Sequence, residues 1–149
     1  MKSTTKQTRR GWCAALALVG AALASPVWAG ERIAAGDLRG ALSGVTLDGI
    51  YRDGSFFSET YSEDGSIRYH DSEGADSGEW SIKGDTFCTF YQSLEGACFF
   101  VERDGTNCFT FFAAAEGSDG SVKPEADWTS RGWGRGKPST CPTQPEVSI

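Results

Sequence analysis

Few side chains in this sequence have the reactivity that catalysis requires. The single histidine, His70, is the one imidazole that could act as a general base. If Asp64-Gly65 forms a two-residue turn, Glu59 lies opposite His70 on the neighbouring strand, where a carboxylate would orient the imidazole. A hydrolase could use this pair. An ordinary cross-strand charge pair explains the pattern better, because no elbow motif marks a serine nucleophile.

The cysteines are the other reactive side chains, and their number favours disulfide bonds. Cys13 lies in an N-terminal apolar segment, and the remaining four are Cys88, Cys98, Cys108 and Cys141. An even number of cysteines in a small exported chain is typical of a disulfide framework. Since no C-x-x-C spacing occurs and histidine is single, we expect no zinc site.

Hairpin geometry distinguishes among the possible disulfide pairings. Cys88 and Cys98 lie at mirrored positions in one predicted hairpin, which places them opposite each other within bonding distance. A two-residue turn at Asp104-Gly105 would instead place Cys98 and Cys108 on opposite faces of the sheet. We therefore predict a Cys88–Cys98 bridge, which leaves Cys108 to pair with Cys141.

Two clusters of charged residues have weaker functional interpretations. Segment 71–79 carries four carboxylates that could bind calcium, but their spacing departs from the EF-hand pattern and a solvated turn explains them better. Segment 131–137 alternates glycine with basic and aromatic residues, as RGG-type nucleic-acid-binding segments do. One short copy in an acidic chain is better interpreted as a flexible tether. We predict no metal, no cofactor and no nucleic-acid partner.

The elements that must position these residues are predicted to be short antiparallel strands. Asp-Gly and Gly-Asp turn dipeptides recur between runs rich in Phe, Tyr, Thr, Val and Ile, which is typical of a meander. A short helix is predicted over 33–42, a loop over 71–77 and an irregular tail over 116–149. The predicted strands are 45–52, 55–62, 66–71, 78–83, 86–92, 97–103 and 106–114.

Alternation along the last predicted hairpin leaves apolar side chains on both faces of the sheet. One face would carry Cys98 with Phe100, Phe109 and Phe111, and the other Phe99 and Val101 with Cys108 and Thr110. We predict that the tail, tethered through Cys141 and bringing Trp128 and Trp133, covers the second face. A sheet curled into a small barrel is the alternative. The predicted fold class is all-β, a small antiparallel meander that is barrel-like or curled.

The first 29 residues have the pattern of a secretory signal peptide. Basic residues precede an apolar run of about 14 residues, and Ala29 marks the predicted cleavage site. This run is shorter than the ~20 residues of a membrane span, so we predict cleavage and no stable span afterwards. The predicted organisation is a signal peptide at 1–29, a β domain with a short leading helix at 30–115 and a tethered tail at 116–149. The mature protein is predicted to be periplasmic or secreted.

Removal of the signal makes the protein strongly acidic. The whole chain has 14 basic and 20 acidic residues, a net charge of −6. Four of the basic residues and none of the acidic ones lie in 1–29, so the mature chain keeps 10 against 20 and carries −10. Such a charge repels nucleic acids and anionic lipid surfaces.

One combination of motifs supports a comparison with known proteins. In chain order the motifs are Gly44–Gly49, Gly78-Glu79-Trp80, Gly84-Asp85, Cys88 and Cys98. Within residues 33–113 this pattern resembles a loose group of small exported β-rich proteins of alphaproteobacteria, whose function is uncharacterised. The resemblance implies an exported β-rich fold and no particular activity. Lipocalins also have a Gly-x-Trp motif, but on their first strand, so that likeness is an analogy of fold alone.

The functional expectation is a non-catalytic exported protein that binds something or acts at the cell envelope. It has two forms: a small apolar ligand inside a barrel, or an envelope protein as partner, as for an inhibitor of a periplasmic enzyme. The hydrolase with Glu59 and His70 is the weakest hypothesis. A cavity of several hundred Å³ would favour a small ligand, and a filled core with an exposed aromatic patch would favour a protein partner.

Overall fold

Alternating apolar and polar residues fold most of the chain into antiparallel strands. The computed structural model describes residues 30–93 and 95–143, so the predicted signal peptide, with Cys13, lies outside the described residues. The elements are β1 (Glu31–Arg32), α1 (Ala35–Leu42), β2 (Val45–Tyr51), β3 (Phe56–Tyr61), β4 (Ser66–Asp71), β5 (Ala75–Lys83), β6 (Thr86–Tyr91), β7 (Ala97–Arg103), β8 (Phe109–Glu116), β9 (Val122–Pro124) and β10 (Ser130–Gly134).

Eight of these strands form a closed antiparallel barrel. Strands β2 to β8 pair in chain order, and β10 lies between β8 and β2 and so closes the ring. Closure buries one face of every strand and leaves no free edge around the ring. The predicted all-β meander with a barrel-like sheet and a short leading helix is confirmed. Of the two arrangements for burying both apolar faces, the barrel is the one that forms.

The helix α1 packs across one end of the barrel. Leu38 and Leu42 are completely buried and join the core with Trp80 and Phe87. The guanidinium of Arg39 lies 4.7 Å from the centre of the Trp80 ring. The chain passes from α1 into β2 through Gly44, whose φ of 75° favours glycine. The helix therefore closes the end at which β2 begins, and no helix among the described residues covers the end at which β2 finishes.

Three hairpin loops share the sequence Asp-Gly-Ser and the same structure. In each loop the aspartate accepts a hydrogen bond from the N–H of the serine two residues later, and the glycine between them has φ of 76° to 90°. Each loop has three residues between its paired strands instead of two. This is the three-residue hairpin with a left-handed glycine at its last position. The loops are centred on Asp53, Asp64 and Asp119.

The length of the Asp64 loop changes which residues of β3 and β4 face each other. Tyr69 lies opposite Glu59, and Ser58 lies opposite His70. A one-residue change in register moves every side chain of a strand to the other face relative to its partner. Glu59 therefore points into the barrel and His70 points out to solvent. The predicted pairing of Glu59 with His70 is wrong, and the hydrolase hypothesis loses its geometric basis.

The β7–β8 hairpin also differs from its predicted register. A three-residue loop at 105–107 joins the strands, and Val101 lies opposite Phe111 instead of Cys108. The observed register differs from the predicted one by an odd number of residues. Each face of the hairpin therefore combines residues that were predicted to lie on opposite faces. Phe99 and Val101 share the barrel interior with Phe109 and Phe111, and Cys98 lies on the outer face with Cys108.

Both predicted disulfides are confirmed. Cys88 and Cys98 lie directly opposite each other on β6 and β7, with their Cα atoms 4.0 Å apart. The Cys108–Cys141 bond, with a Cα–Cα distance of 4.9 Å, fastens the segment after β10 beside the start of β8.

The prediction of an irregular tail from residue 116 onward is wrong for the residues that form β9 and β10. In β10 the inward positions include Gly132, where a Cβ would lie 3.0 Å from a methyl group of Leu47. Glycine therefore fits this crowded position. Pairing with β2 on one side and β8 on the other makes the segment a strand. Trp133 alternates with Gly132 and faces outward, and the ring of Trp128 lies against Arg131, the other outward neighbour of Gly132. The prediction that the tail covers Phe99 and Val101 is therefore wrong, because the barrel itself encloses them. The predicted loop at 71–77 is also too long, because β5 begins at Ala75.

Candidate functional site

The uncovered end of the barrel contains a cavity of about 320 Å³. Its walls come from inward positions near the ends of β2 and β6 and the beginnings of β3, β7 and β10, so it lies opposite α1. The aromatic residues that line it are Tyr51, Phe57, Tyr61, Phe87, Tyr91, Phe99 and Phe111. Its other lining residues are Glu59, Thr89, Glu95, Ala97, Thr129 and Ser130. Concave, mostly apolar sites with a few polar groups are typical of small-molecule binding.

Glu59 places a carboxyl group in the wall of this cavity. Its side chain faces inward by alternation along β3, and the residue is 7% exposed. The hydroxyl of Tyr61 donates to one carboxyl oxygen, and the hydroxyl of Tyr91 donates to the other. Burial raises the pKa of Glu59, while the two tyrosine hydrogen bonds act in the opposite direction. No Lys, Arg or His among residues 30–93 and 95–143 forms an ion pair with it.

The two tyrosines fix the direction of these hydrogen bonds. Burial, followed by the proximity of Glu59, raises the pKa values of Tyr61 and Tyr91 above their ordinary value of 10.0. Both hydroxyls therefore keep their protons at neutral pH and act as donors. An ionised carboxylate has about four acceptor positions, so two positions on Glu59 stay available for a further donor.

A second set of hydrogen bonds orders the rim beside Glu59. The hydroxyl of Tyr51 donates to that of Tyr69 at 3.2 Å, and Tyr69 donates to a carboxylate oxygen of Asp71 at 2.6 Å. The ring of Phe57 lies between them, with its centre 4.8 Å from that of Tyr51 and 6.5 Å from that of Tyr69. Packed rings with satisfied hydroxyl groups make this wall rigid before any ligand arrives.

His70 lies outside the barrel, in an open groove of about 570 Å³. The groove also carries Arg135, which forms an ion pair with Asp48 at 2.6 Å and donates to the hydroxyl of Ser58. Hydrogen bonding to Arg135 lowers the pKa of Asp48. Glu59 is on the other side of the sheet, so the groove lacks the carboxylate that His70 was predicted to use.

Two aspartates of the acidic segment at 71–79 accept hydrogen bonds from other residues of the protein. Asp71 accepts hydrogen bonds from the N–H groups of Glu73 and Gly74, at 2.8 and 3.1 Å. Asp76 accepts from the hydroxyl of Ser93 at 2.7 Å. In the part of the chain that the structure describes, no group of three or more His, Cys, Asp or Glu residues is arranged to hold a metal ion.

The sequence around Glu59 contains a signal that its carboxyl group is buried. In Phe57-x-Glu59-x-Tyr61 the glutamate shares its face with two aromatic residues, and a strand buries such a face. An acid at the centre of an aromatic stripe indicates a buried carboxyl group. The assumed two-residue turn concealed this signal by placing Glu59 beside His70.

None of the helices among the described residues has the length and hydrophobicity needed to cross a membrane. No protein-family model matches the chain, and no curated protein is significantly similar to it.

Proposed function

We propose that this protein is a non-catalytic, exported binding protein that takes up a small, largely apolar ligand in the open end of its barrel. The observation that carries the proposal is the cavity of about 320 Å³, walled by aromatic rings and containing one buried carboxyl group. Its volume is at the lower end of the range of sites for small organic molecules.

The preformed wall of the cavity supports this function. Thr89 and Ala97 line the cavity opposite each other on β6 and β7, and the adjacent Cys88–Cys98 bond joins the same two strands. Binding to a wall that is already ordered loses less conformational entropy than binding to a mobile one. The disulfide beside the mouth of the cavity therefore favours a higher affinity for the ligand.

Export is supported by the sequence pattern of residues 1–29 and by the two disulfides. Disulfides persist in oxidising compartments and are rare where thiols are kept reduced. Mass spectrometry of the mature protein tests this part of the proposal, which expects Gly30 at the N-terminus. An intact segment from Met1 to Ala29 in exported protein would contradict it.

The alternative function, an inhibitor or partner of an envelope enzyme, has less support. Phe56 and Phe90 are 70% and 44% exposed, but they lie on β3 and β6, which are not neighbours in the sheet. Lys83 also lies over the Phe90 ring, at 4.6 Å. Exposed aromatic residues that are scattered singly are normal on protein surfaces.

Binding of a neutral fluorescent probe tests the proposed cavity. We expect N-phenylnaphthylamine to bind the mature wild-type protein, and Ala97→Trp to weaken binding at least tenfold, or about 1.4 kcal/mol, because the indole would fill the mouth. Ala75→Trp introduces the same side chain at an exposed strand position on the outer face of the barrel, opposite His70, and should bind as the wild type does. His70→Ala should also have no effect. Absence of probe binding to the folded wild type, or equal binding by Ala97→Trp, would refute the proposal.

A further inference from the structure

The described lining of the cavity is acidic. Glu59 lies within it and Glu95 lies at its mouth, and its described lining residues include no Lys, Arg or His. Arg68 and His70, on the neighbouring strand β4, face the opposite side of the sheet. An anionic ligand would therefore bring its charge against carboxylates in a site of low dielectric constant, which is strongly unfavourable.

Glu59 is already oriented to accept a donor from a ligand. Tyr61 and Tyr91 hold one carboxyl oxygen each and leave further acceptor positions unused. A buried carboxylate without a cationic partner carries a desolvation cost that a bound cation would offset. The rings of Tyr51, Phe57 and Tyr91 surround the same space, and aromatic faces attract organic cations.

From these contacts we infer that the ligand is a small organic amine, bound through its ammonium group to Glu59. Its apolar part lies against Phe87, Phe99 and Phe111 deeper in the barrel. This inference rests on the proposed binding function and adds the chemical class of the ligand. A metal cation does not fit the same space, because Glu59 belongs to no cluster of three metal-ligating side chains in the described residues.

Three probes of similar size and different charge test the inference by calorimetry at neutral pH. We expect phenethylamine to bind the mature wild-type protein at least tenfold more tightly than phenethyl alcohol, and phenylacetate to bind more weakly than either. Glu59→Gln should remove the advantage of the amine and leave the affinity for the alcohol within about twofold. The matched control Glu73→Gln, on an exposed loop outside the cavity, should bind all three probes as the wild type does.

The outcomes separate this inference from the binding function. Equal affinities for amine and alcohol on the wild type would overturn the inference while leaving the cavity as a binding site, and this comparison needs no variant to fold. An amine advantage that persists in folded Glu59→Gln would also overturn it. If neither these probes nor N-phenylnaphthylamine binds, the proposed function itself fails.

Discussion

At the scale of single residues, Glu59 sets the pH dependence of stability above its ordinary titration range. Burial raises the pKa of this carboxyl group in the folded protein above the ordinary value of 4.5. At pH values between the pKa of Glu59 in the unfolded chain and its higher pKa in the folded protein, the unfolded chain binds fewer protons than the folded one. The free energy of unfolding therefore falls as pH rises through this range. We predict that Glu59→Gln removes this fall because glutamine does not titrate. The variant can still fold, since glutamine can accept from one tyrosine and donate to the other. Urea unfolding from pH 4.5 upward measures the slope.

Other titrating groups act in a different pH window. The pKa values of Asp53, Asp64 and Asp119 are lowered by hydrogen bonds from the serines of their Asp-Gly-Ser loops. Stability from these groups is present above the ordinary value of 3.8 and is lost as pH falls below it. Tyr61 and Tyr91 have raised pKa values and titrate only above pH 10.

The control variant Glu73→Gln should keep the wild-type dependence of unfolding free energy on pH. If this dependence survives in Glu59→Gln, another group causes it.

At the scale of elements, an inward-facing glycine on β2 makes room for the aromatic wall. A Cβ at Gly49 would lie 2.3 Å from the ring of Phe57 and 2.6 Å from the backbone carbonyl oxygen of Arg131. The ring would have to move toward the cavity, and the carbonyl could not move without disturbing β10. We predict that Gly49→Ala destabilises the fold by about 1–3 kcal/mol, as overpacking does, and weakens binding of the neutral probe. Chemical denaturation and probe titration measure the two effects.

A glycine in α1 provides the matched control for the same substitution. Nothing lies within 4 Å of a Cβ built at Gly40. Gly40→Ala should therefore stabilise the protein by about 0.5–1 kcal/mol, because alanine loses less backbone entropy in a helix. If the two variants changed stability equally, crowding at Gly49 would not be the cause.

Loop length also explains which features the sequence could predict. The Asp-Gly dipeptides located most strands correctly, and the Cys88–Cys98 bond followed from symmetry about its hairpin. The dipeptide does not include Ser66, whose N–H and hydroxyl both donate to Asp64 in the three-residue loop. That one residue decides which face Glu59 occupies. Strand β10 was missed because its glycines have low β-propensity, and pairing with both β2 and β8 outweighs that preference.

At the scale of the whole molecule, closure of the barrel depends on β10. This strand pairs with β2 along five residues and with β8 along three, and the Cys108–Cys141 bond anchors the chain that follows it. We predict that truncation after Ala115 opens the barrel between β2 and β8, lowers the melting temperature and increases binding of a hydrophobic dye. The exposed interior would include Leu47 and Phe111, which are 0% and 3% exposed in the intact barrel.

A cysteine double variant separates the effect of closure from that of the tether. Cys108→Ala with Cys141→Ala keeps β10 but removes a link between residues 33 positions apart, which should cost about 3–4 kcal/mol in the chain-entropy model. Its melting temperature should fall, while dye binding at temperatures below the transition should stay at the wild-type level because the barrel remains closed. The truncated protein should bind dye at those same temperatures. If truncation changes stability no more than the double variant and exposes no dye-binding surface, β10 does not hold the barrel shut and the interior stays covered without it.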